Sequence, residues 1–491
     1  MRRFWGIAAL ALLCALTRAR ALLVDKGDAN VDTVYHVAAV WLHGTLPYIA
    51  AWEYKPPGIF AAAAVALVVF RTASLANAIL GTVAVFVTAL GAAAIVRRFG
   101  GSVRDASLAA IGIVLFSVED QGVLGDAEVY VNACVTAGIA AAGSRRAWPG
   151  RAAYAGLAAA AALQVKLIAL PLVVAIGVAL VARVPAARAR VLAIFAGVAC
   201  APFLFEAWLY ARAGVFAEFW DANVEATLRR AATLRGGLRR DNAPQWFAQW
   251  RVLAPAVELA PFALLHSQRA ALVPLWFWLA AAALAVAGTG EFYDRHFLLL
   301  VPPAVSLGTF GLAALLERFE RPRTLLATVG VLTFALHGYY EVAQSIGIVA
   351  HRTAGRDRVW RAGHYPLVRE AVRAALGDDR SLYVIEDSPR LYDDTGAAPP
   401  TAYAFSGDLL EPPMWPMLGF RGREELLRVL ATRPHIIAVG TLGGNFDPAG
   451  VAAIRALLAK EYRFVGEADR TAIYRLRALA TQSRPSTSST W

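Results

Sequence analysis

Ionisable side chains that could act on a hydroxyl-bearing or phosphorylated substrate lie at the edges of long apolar runs in this sequence. The first group falls in residues 27–60 and includes the carboxylate of Asp32. Lys55 precedes Pro56 and Pro57, which stiffen the chain, so its ammonium could act as a fixed charge for a phosphate. Residues of the same segment that could contact the substrate are Asp28, Tyr35, His36 and Glu53.

Two later segments carry residues of the same kind. Asp126 and Glu128 lie where one apolar run ends and the next begins, and Lys166 lies between two short apolar runs. Polar groups at the edge of a bilayer are costly unless they are paired or functional. The two carboxylates fit a sugar, a divalent cation or a basic loop partner, and the sequence leaves these alternatives open. The third segment places three ionisable residues directly before an apolar run, namely Asp294, Arg295 and His296.

Some of these carboxylates also have a purely structural interpretation. Asp32 lies at the start of a predicted helix, where a carboxylate is a favourable N-cap. Asp126 could cap the helix that follows it in the same way, and Arg295 could simply pair with Asp294.

The composition indicates the environment in which these residues work. Hydrophobic residues make up 58% of the 491 residues and charged residues 17%, against about 45–50% and 25% in soluble domains. The mean hydropathy is +0.50. This balance excludes a disordered chain, a collagen, a coiled coil and a disulfide scaffold. The net charge of +12 comes from arginines clustered between apolar runs, which is typical of membrane topology rather than of nucleic-acid binding. We therefore predict an α-helical polytopic membrane protein.

Eleven membrane spans are predicted. The first is an uncleaved helix in residues 2–23 with its N-terminus in the cytoplasm. Alternation from that start places the arginine clusters of residues 97–104, 145–151, 183–190 and 318–323 on the cytoplasmic side, as the positive-inside rule requires. The segments at Asp32, Asp126, Lys166 and Asp294 then share the outer side. The other predicted spans are 76–96, 105–118, 127–143, 152–165, 167–182, 191–210, 252–266, 271–287, 297–315 and 324–345.

Residues 24–75 are predicted to form the first outer loop. The apolar stretch 59–70 is too short to cross a hydrocarbon core of about 30 Å. Residues 31–43 have the spacing of a helix lying on the membrane surface, with one apolar face. That face consists of Val31, Val34, Val37, Ala38 and Trp41.

A composition change after residue 345 predicts a second domain. Strand candidates at 381–386, 435–440 and 471–476 alternate with helical patterns at 365–376, 422–432 and 449–460, which indicates a small α/β domain over residues 346–480. Eleven spans place this domain outside the cytoplasm. Residues 481–491 are predicted to be a disordered tail.

The motifs of the first outer loop resemble those of a known enzyme superfamily. Residues 32–35 read DTVY, residues 44–48 read GTLPY and residues 52–58 read WEYKPPG. In this order they resemble the first outer loop of GT-C-fold glycosyltransferases of the protein O-mannosyltransferase and lipid A aminoarabinose transferase superfamily (glycosyltransferase family 39-like). The similarity extends over residues 1–345, through Asp126 or Glu128, Lys166 and residues 294–296. Residues 383–392 resemble the soluble C-terminal domain of bacterial members.

The resemblance implies a role for each matching residue. Asp32 matches the catalytic aspartate that serves as general base, with Asp28 as a rival because Thr33 replaces the usual glutamate. Lys55 matches the lysine that contacts the donor phosphate, and Arg295 a basic residue near the leaving phosphate. Asp126 or Glu128 matches the acidic position of the second outer loop.

The resemblance also implies an activity and its partners. The donor is a polyprenyl-phosphate-linked sugar, and the acceptor is a lipid, glycan or protein of the cell envelope at the outer face of the inner membrane. The leaving lipid phosphate is already ionised, so it needs cations such as Lys55, Lys166 and Arg295 rather than a general acid. One direct displacement predicts inversion at the anomeric carbon. A transporter or flippase for a lipid-linked sugar, without catalysis of its own, is the alternative.

Overall fold

The computed structural model describes residues 2–25, 27–118, 125–184, 187–233, 253–318 and 364–477. Four helices in these ranges are long and apolar enough to cross a membrane, namely Ala73–Arg98, Arg188–Arg212, Arg269–Thr289 and Asp294–Arg318. The remaining helices before residue 319 are shorter, and most belong to the same bundle. Their bounds are Arg2–Thr17, Ala19–Leu23, Ala29–Leu42, Pro57–Phe70, Val103–Phe116, Ala127–Ala142, Trp148–Val165, Leu170–Arg183, Phe216–Trp220, Ala226–Thr233 and Leu253–Leu265.

The predicted spans agree with these helices. Nine of the ten spans that follow the first helix coincide with helical segments, and the tenth, 324–345, lies outside the described residues. The predicted first helix is divided at Arg18 into the helices Arg2–Thr17 and Ala19–Leu23. Arg18 is buried and donates a hydrogen bond to the carbonyl of Ser117 at 3.0 Å, which fixes the first helix to the end of another.

Small residues let the membrane helices approach one another closely. A Cβ atom at Gly311 would lie 1.8 Å from the carbonyl oxygen of Leu259, and one at Gly156 would lie 2.9 Å from that of Phe195. Neither glycine can therefore carry a side chain without separating the two backbones. Such small-residue contacts are a common way for helices to associate in lipid, where the hydrophobic effect does not drive helices together.

The helix Ala29–Leu42, called the loop helix below, is covered by the protein on more sides than its one predicted apolar face. Residues 31–38 are buried around its whole circumference, including Asp32, Thr33 and His36. The expected apolar face packs inside the protein, and the polar face is covered by the C-terminal part of the chain. The loop helix begins at Asp28, whose side chain accepts hydrogen bonds from the backbone N–H groups of Asn30 and Val31.

The C-terminal residues form a small α/β unit. Strands β1 (Leu382–Ile385), β2 (Ile436–Val439), β3 (Tyr462–Ala468) and β4 (Thr471–Leu476) are ordered β1-β2-β4-β3, and β1 and β2 are parallel. The helices His364–Leu376, Gly422–Ala431 and Pro448–Glu461 agree with the predicted ones. Strand β3 was not predicted, because it is an exposed edge strand with charged side chains. The predicted boundary at 345/346 and the tail 481–491 lie outside the described residues.

The C-terminal unit packs directly on the segment around the loop helix. Tyr35, Trp52 and Phe60 belong to one apolar core with Tyr383 and Leu409. The backbone N–H of Trp52 donates to the carbonyl of Ala402 at 2.8 Å. Burial of these large side chains fixes the C-terminal unit beside the ionisable residues of the loop helix.

Candidate functional site

A cavity of about 490 Å³ lies beside the loop helix, among the helices Pro57–Phe70, Ala73–Arg98, Ala127–Ala142 and Trp148–Val165. Its walls are mainly apolar, with Val83, Val87 and Ala133 among the lining residues. The polar side chains that line it are Asn30, Tyr35, Lys55, Asn77, Asp126, Tyr130 and Gln164. A cavity of this size and lining suits an apolar chain that carries a polar group.

Lys55 presents a buried ammonium to this cavity. Its Nζ lies 3.1 Å from Oε2 of Glu53 and donates to Oδ1 of Asn30 at 3.2 Å. The hydroxyl of Tyr48 donates to the carbonyl of Lys55 at 2.7 Å and so fixes the backbone there. Burial alone would lower the pKa of Lys55, but the neighbouring Glu53 carboxylate raises it, so the ammonium remains charged.

Asp126 also lines this cavity. Asn30 bridges the two residues, since its Nδ2 donates to Oδ1 of Asp126 at 3.3 Å while its Oδ1 accepts from Lys55. Burial and the neighbouring Glu128 carboxylate raise the pKa of Asp126 to about 7. Asp126 stands at the N-cap position but makes no side-chain capping bond. Its Oδ2 is buried and has no hydrogen-bond partner among the described residues.

Glu128 lies beside the other basic residues of this group. Its Oε1 accepts a hydrogen bond from Nζ of Lys166 at 2.6 Å and lies 3.6 Å from Nε2 of His296. The guanidinium of Arg295 stacks over the ring of Tyr293 at 4.9 Å and is close enough to bias the ionisation of Asp126. Asp294 lies exposed at the start of the same helical turn.

Asp32 lies on another side of the loop helix and is not a lining residue of the cavity. It is 3% exposed, and its Oδ2 accepts hydrogen bonds from the Ser388 hydroxyl at 2.6 Å and from the Asp28 N–H at 2.9 Å. The guanidinium of Arg390 lies 3.6 Å from its Oδ1. Burial raises the pKa of Asp32 to about 7, against the opposing effect of Arg390.

His36 follows Asp32 by one helical turn and also meets the C-terminal unit. Its Nδ1 lies 3.0 and 3.1 Å from the two carboxylate oxygens of Asp393. Its Nε2 is buried without a hydrogen-bond partner in the described part of the chain.

The predicted residues and the residues that contact them therefore form two groups rather than a single pocket. The cavity group is Asn30, Tyr35, Glu53, Lys55, Asp126, Glu128, Lys166, Arg295 and His296. The roof group is Asp25, Asp32, His36, Ser388, Arg390 and Asp393. Asp28 stands between the groups: its N–H binds Asp32, and its charge affects both Asp32 and Asp126. It is also Asp28, not Asp32, that caps the loop helix.

Sequence reasoning missed several residues of these groups. Asn30 is a neutral residue within the same acidic segment, and nothing in its spacing distinguishes it from a surface asparagine. Arg390 and Asp393 lie more than 350 positions from the residues they contact. Arg390 also donates two hydrogen bonds to Asp25, at 2.9 and 3.0 Å.

The described side chains of the two groups do not form a ligand set suited to a divalent cation. In the described ranges no group of three or more His, Cys, Asp or Glu residues is arranged to hold a metal ion. Lys166 lies 2.6 Å from Glu128, so an ammonium already neutralises the carboxylate that a metal would need.

Comparison with known proteins identifies the architecture. No protein-family model and no curated protein sequence matches the chain. Among solved structures, the crystal structure of ArnT from Cupriavidus metallidurans bound to undecaprenyl phosphate is similar, with a TM-score of 0.62 and 13% sequence identity. The match covers 95% of this chain and 97% of that chain. At this identity the likeness establishes the fold alone, and the chain is a multi-pass membrane protein with the ArnT-like GT-C fold.

Proposed function

We propose that this protein is an integral-membrane glycosyltransferase that moves a sugar from a polyprenyl-phosphate donor to an envelope lipid, glycan or protein. The cavity carries this proposal, because it combines apolar walls with a buried ammonium at Lys55. A polyprenyl chain fits the walls and its phosphate fits the ammonium. The similar ArnT structure contains undecaprenyl phosphate, which supports the same class of ligand.

The cavity group would hold the donor and stabilise the leaving group. Lys55 contacts the phosphate, and Arg295 and Lys166 supply further positive charge nearby. Because the leaving phosphate is an anion from the start, cations held in place by the fold lower the barrier without donating a proton. Asp126 and Glu128 have buried oxygens without hydrogen-bond partners among the described residues, so they can accept hydrogen bonds from sugar hydroxyls.

The roof group would activate the acceptor. Asp32 accepts the proton of the acceptor hydroxyl as that oxygen bonds to the anomeric carbon and the bond to the phosphate oxygen breaks. A base on one side and phosphate-binding cations on the other suit an in-line displacement, which inverts the anomeric configuration. The donor and the acceptor would meet near Asp28, on the outer face of the inner membrane.

Mass spectrometry of envelope lipids, glycans and proteins from a deletion strain tests this function. We expect loss of a single-sugar increment, restored by the wild-type gene and not by Asp32→Asn. Binding of undecaprenyl phosphate to the purified protein tests the donor site separately. Normal envelope glycosylation in the deletion strain, or movement of a lipid-linked sugar across vesicles without any covalent product, would refute the transferase proposal and favour a transporter or flippase.

A further inference from the structure

The segment that follows β1 is held rigidly where it meets the loop helix. Strand β1 ends at Ile385, which pairs with Val439 of the parallel strand β2. The N–H of Gly440 donates to the carbonyl of Ile385 at 2.8 Å, and a Cβ atom at Gly440 would lie 2.0 Å from the carbonyl oxygen of Glu386. The N–H of Glu386 donates to Oγ of Ser406 at 2.8 Å. These contacts leave the following residues little freedom.

Within this segment the hydroxyl of Ser388 has a defined orientation. Its oxygen accepts a hydrogen bond from the N–H of Arg390 at 3.3 Å and donates its proton to Oδ2 of Asp32 at 2.6 Å. A hydroxyl has one proton, so this arrangement commits the proton to the carboxylate. Ser388 is 4% exposed, and the bond to Asp32 is therefore shielded from water.

We propose that Ser388 is a positioning residue that holds the Asp32 carboxylate in its reactive orientation, which makes the C-terminal unit a working part of the transfer site. This inference rests on the proposed function for Asp32. A hydrogen bond from a neutral hydroxyl stabilises the carboxylate over the carboxylic acid, so it keeps the base available at neutral pH. The other ionisable groups around Asp32 are Asp25, Asp28, Tyr35, Tyr365 and Arg390, and none of them is altered in the variants below.

Labelling with dicyclohexylcarbodiimide measures this coupling without requiring glycosyl transfer. The reagent modifies the protonated form of a buried carboxyl group, and peptide mass spectrometry quantifies the adduct at Asp32 in the full-length protein across a pH series. We expect Ser388→Ala to move the labelling midpoint upward by roughly one pH unit, because a hydrogen bond to the charged form is lost. Ser388→Thr, which keeps the hydroxyl, should restore the wild-type midpoint, and Asp32→Asn should remove the adduct.

The transfer assay completes the test. In Ser388→Ala we expect the acidic limb of the pH–rate profile to move upward by the same amount, with kcat reduced and the donor KM unchanged. An unmoved labelling midpoint in a variant with a wild-type thermal transition would overturn the inference, as would an increased kcat, which would mean that Ser388 merely blocks the base. If Ser388→Ala shifts the labelling midpoint but the wild-type protein forms no transfer product, the coupling of Ser388 to Asp32 is supported and the proposed function is overturned instead.

Discussion

The carboxylates on the two sides of the loop helix differ in their hydrogen bonding. In the cavity group, Oδ2 of Asp126 and Oε2 of Glu128 are buried and have no hydrogen-bond partner within the described ranges. Nε of Arg295 also lacks a partner there. In the roof group, Oδ2 of Asp32 accepts two hydrogen bonds from the chain itself. Buried carboxylate oxygens without partners can accept hydrogen bonds from a ligand, whereas a carboxylate whose oxygen already accepts two hydrogen bonds is held in one orientation. On the proposed function, the cavity group binds the donor and the roof group holds the base for the acceptor.

Replacing the roof carboxylate should have the largest effect on transfer. We expect Asp32→Asn to reduce sugar transfer by roughly 10²–10⁴-fold, the usual contribution of a general base. Binding of undecaprenyl phosphate should stay at the wild-type level, because the cavity lies on another side of the loop helix. Product formation by mass spectrometry and binding by calorimetry measure the two sides separately. If Asp32→Asn lost undecaprenyl phosphate binding and kept its turnover, Asp32 would belong to the donor side rather than to the acceptor side.

Replacing the cavity ammonium should act on binding. We expect Lys55→Ala to weaken undecaprenyl phosphate binding at least tenfold, since a buried charge that contacts the phosphate is lost. The matched control is Lys460→Ala, which removes an exposed lysine from the last turn of the helix Pro448–Glu461.

A second variant of this ion pair sharpens the prediction. Glu53→Gln removes the carboxylate that lies 3.1 Å from Lys55, so it should strengthen phosphate binding several-fold. Equal weakening in Lys55→Ala and Glu53→Gln would indicate a structural ion pair rather than a phosphate site.

The pH dependence identifies which carboxylate is the base. Burial raises the pKa of Asp32 to about 7, and only the carboxylate form accepts a proton. We therefore expect turnover to be constant well above pH 7 and to fall about tenfold per pH unit well below it. Because the pKa of Asp126 is also raised to about 7, the profile of Asp126→Asn decides between them. If its residual activity lacks the acidic limb, the base belongs to the cavity group.

The smallest effect is expected at the contact between His36 and Asp393. The Asp393 side chain is 29% exposed, so solvent weakens its interaction with the imidazole. Asp393→Asn should lower the free energy of unfolding by about 1 kcal/mol or less, measured by thermal unfolding in detergent. Undecaprenyl phosphate binding and the acidic limb should not change. A displaced acidic limb of the pH–rate profile would show that the contact between His36 and Asp393 affects the ionisation of Asp32.

The sequence predicted the helices and the charged residues of the cavity group, together with Asp32 and His36, but not Asn30 or the C-terminal partners in the roof group. Lys55, Asp126 and Lys166 are conspicuous because charged residues stand out at the ends of apolar runs. Ser388 and Asp32 are 356 positions apart, and no periodicity links a serine after a strand to a helix in another part of the chain. The burial of the polar face of the loop helix could not be predicted for the same reason, because the covering residues belong to the distant C-terminal unit.

The loop helix lies between the cavity and the C-terminal unit, which come from different parts of the chain. Residues 388–393 do not line the cavity, whereas Val83, Val87 and Ala133 do. On the proposed function, exchange of the C-terminal unit would act on the acceptor side and leave the lipid-binding walls of the cavity unchanged. Chimeras that exchange only that region offer a direct way to reprogram such an enzyme.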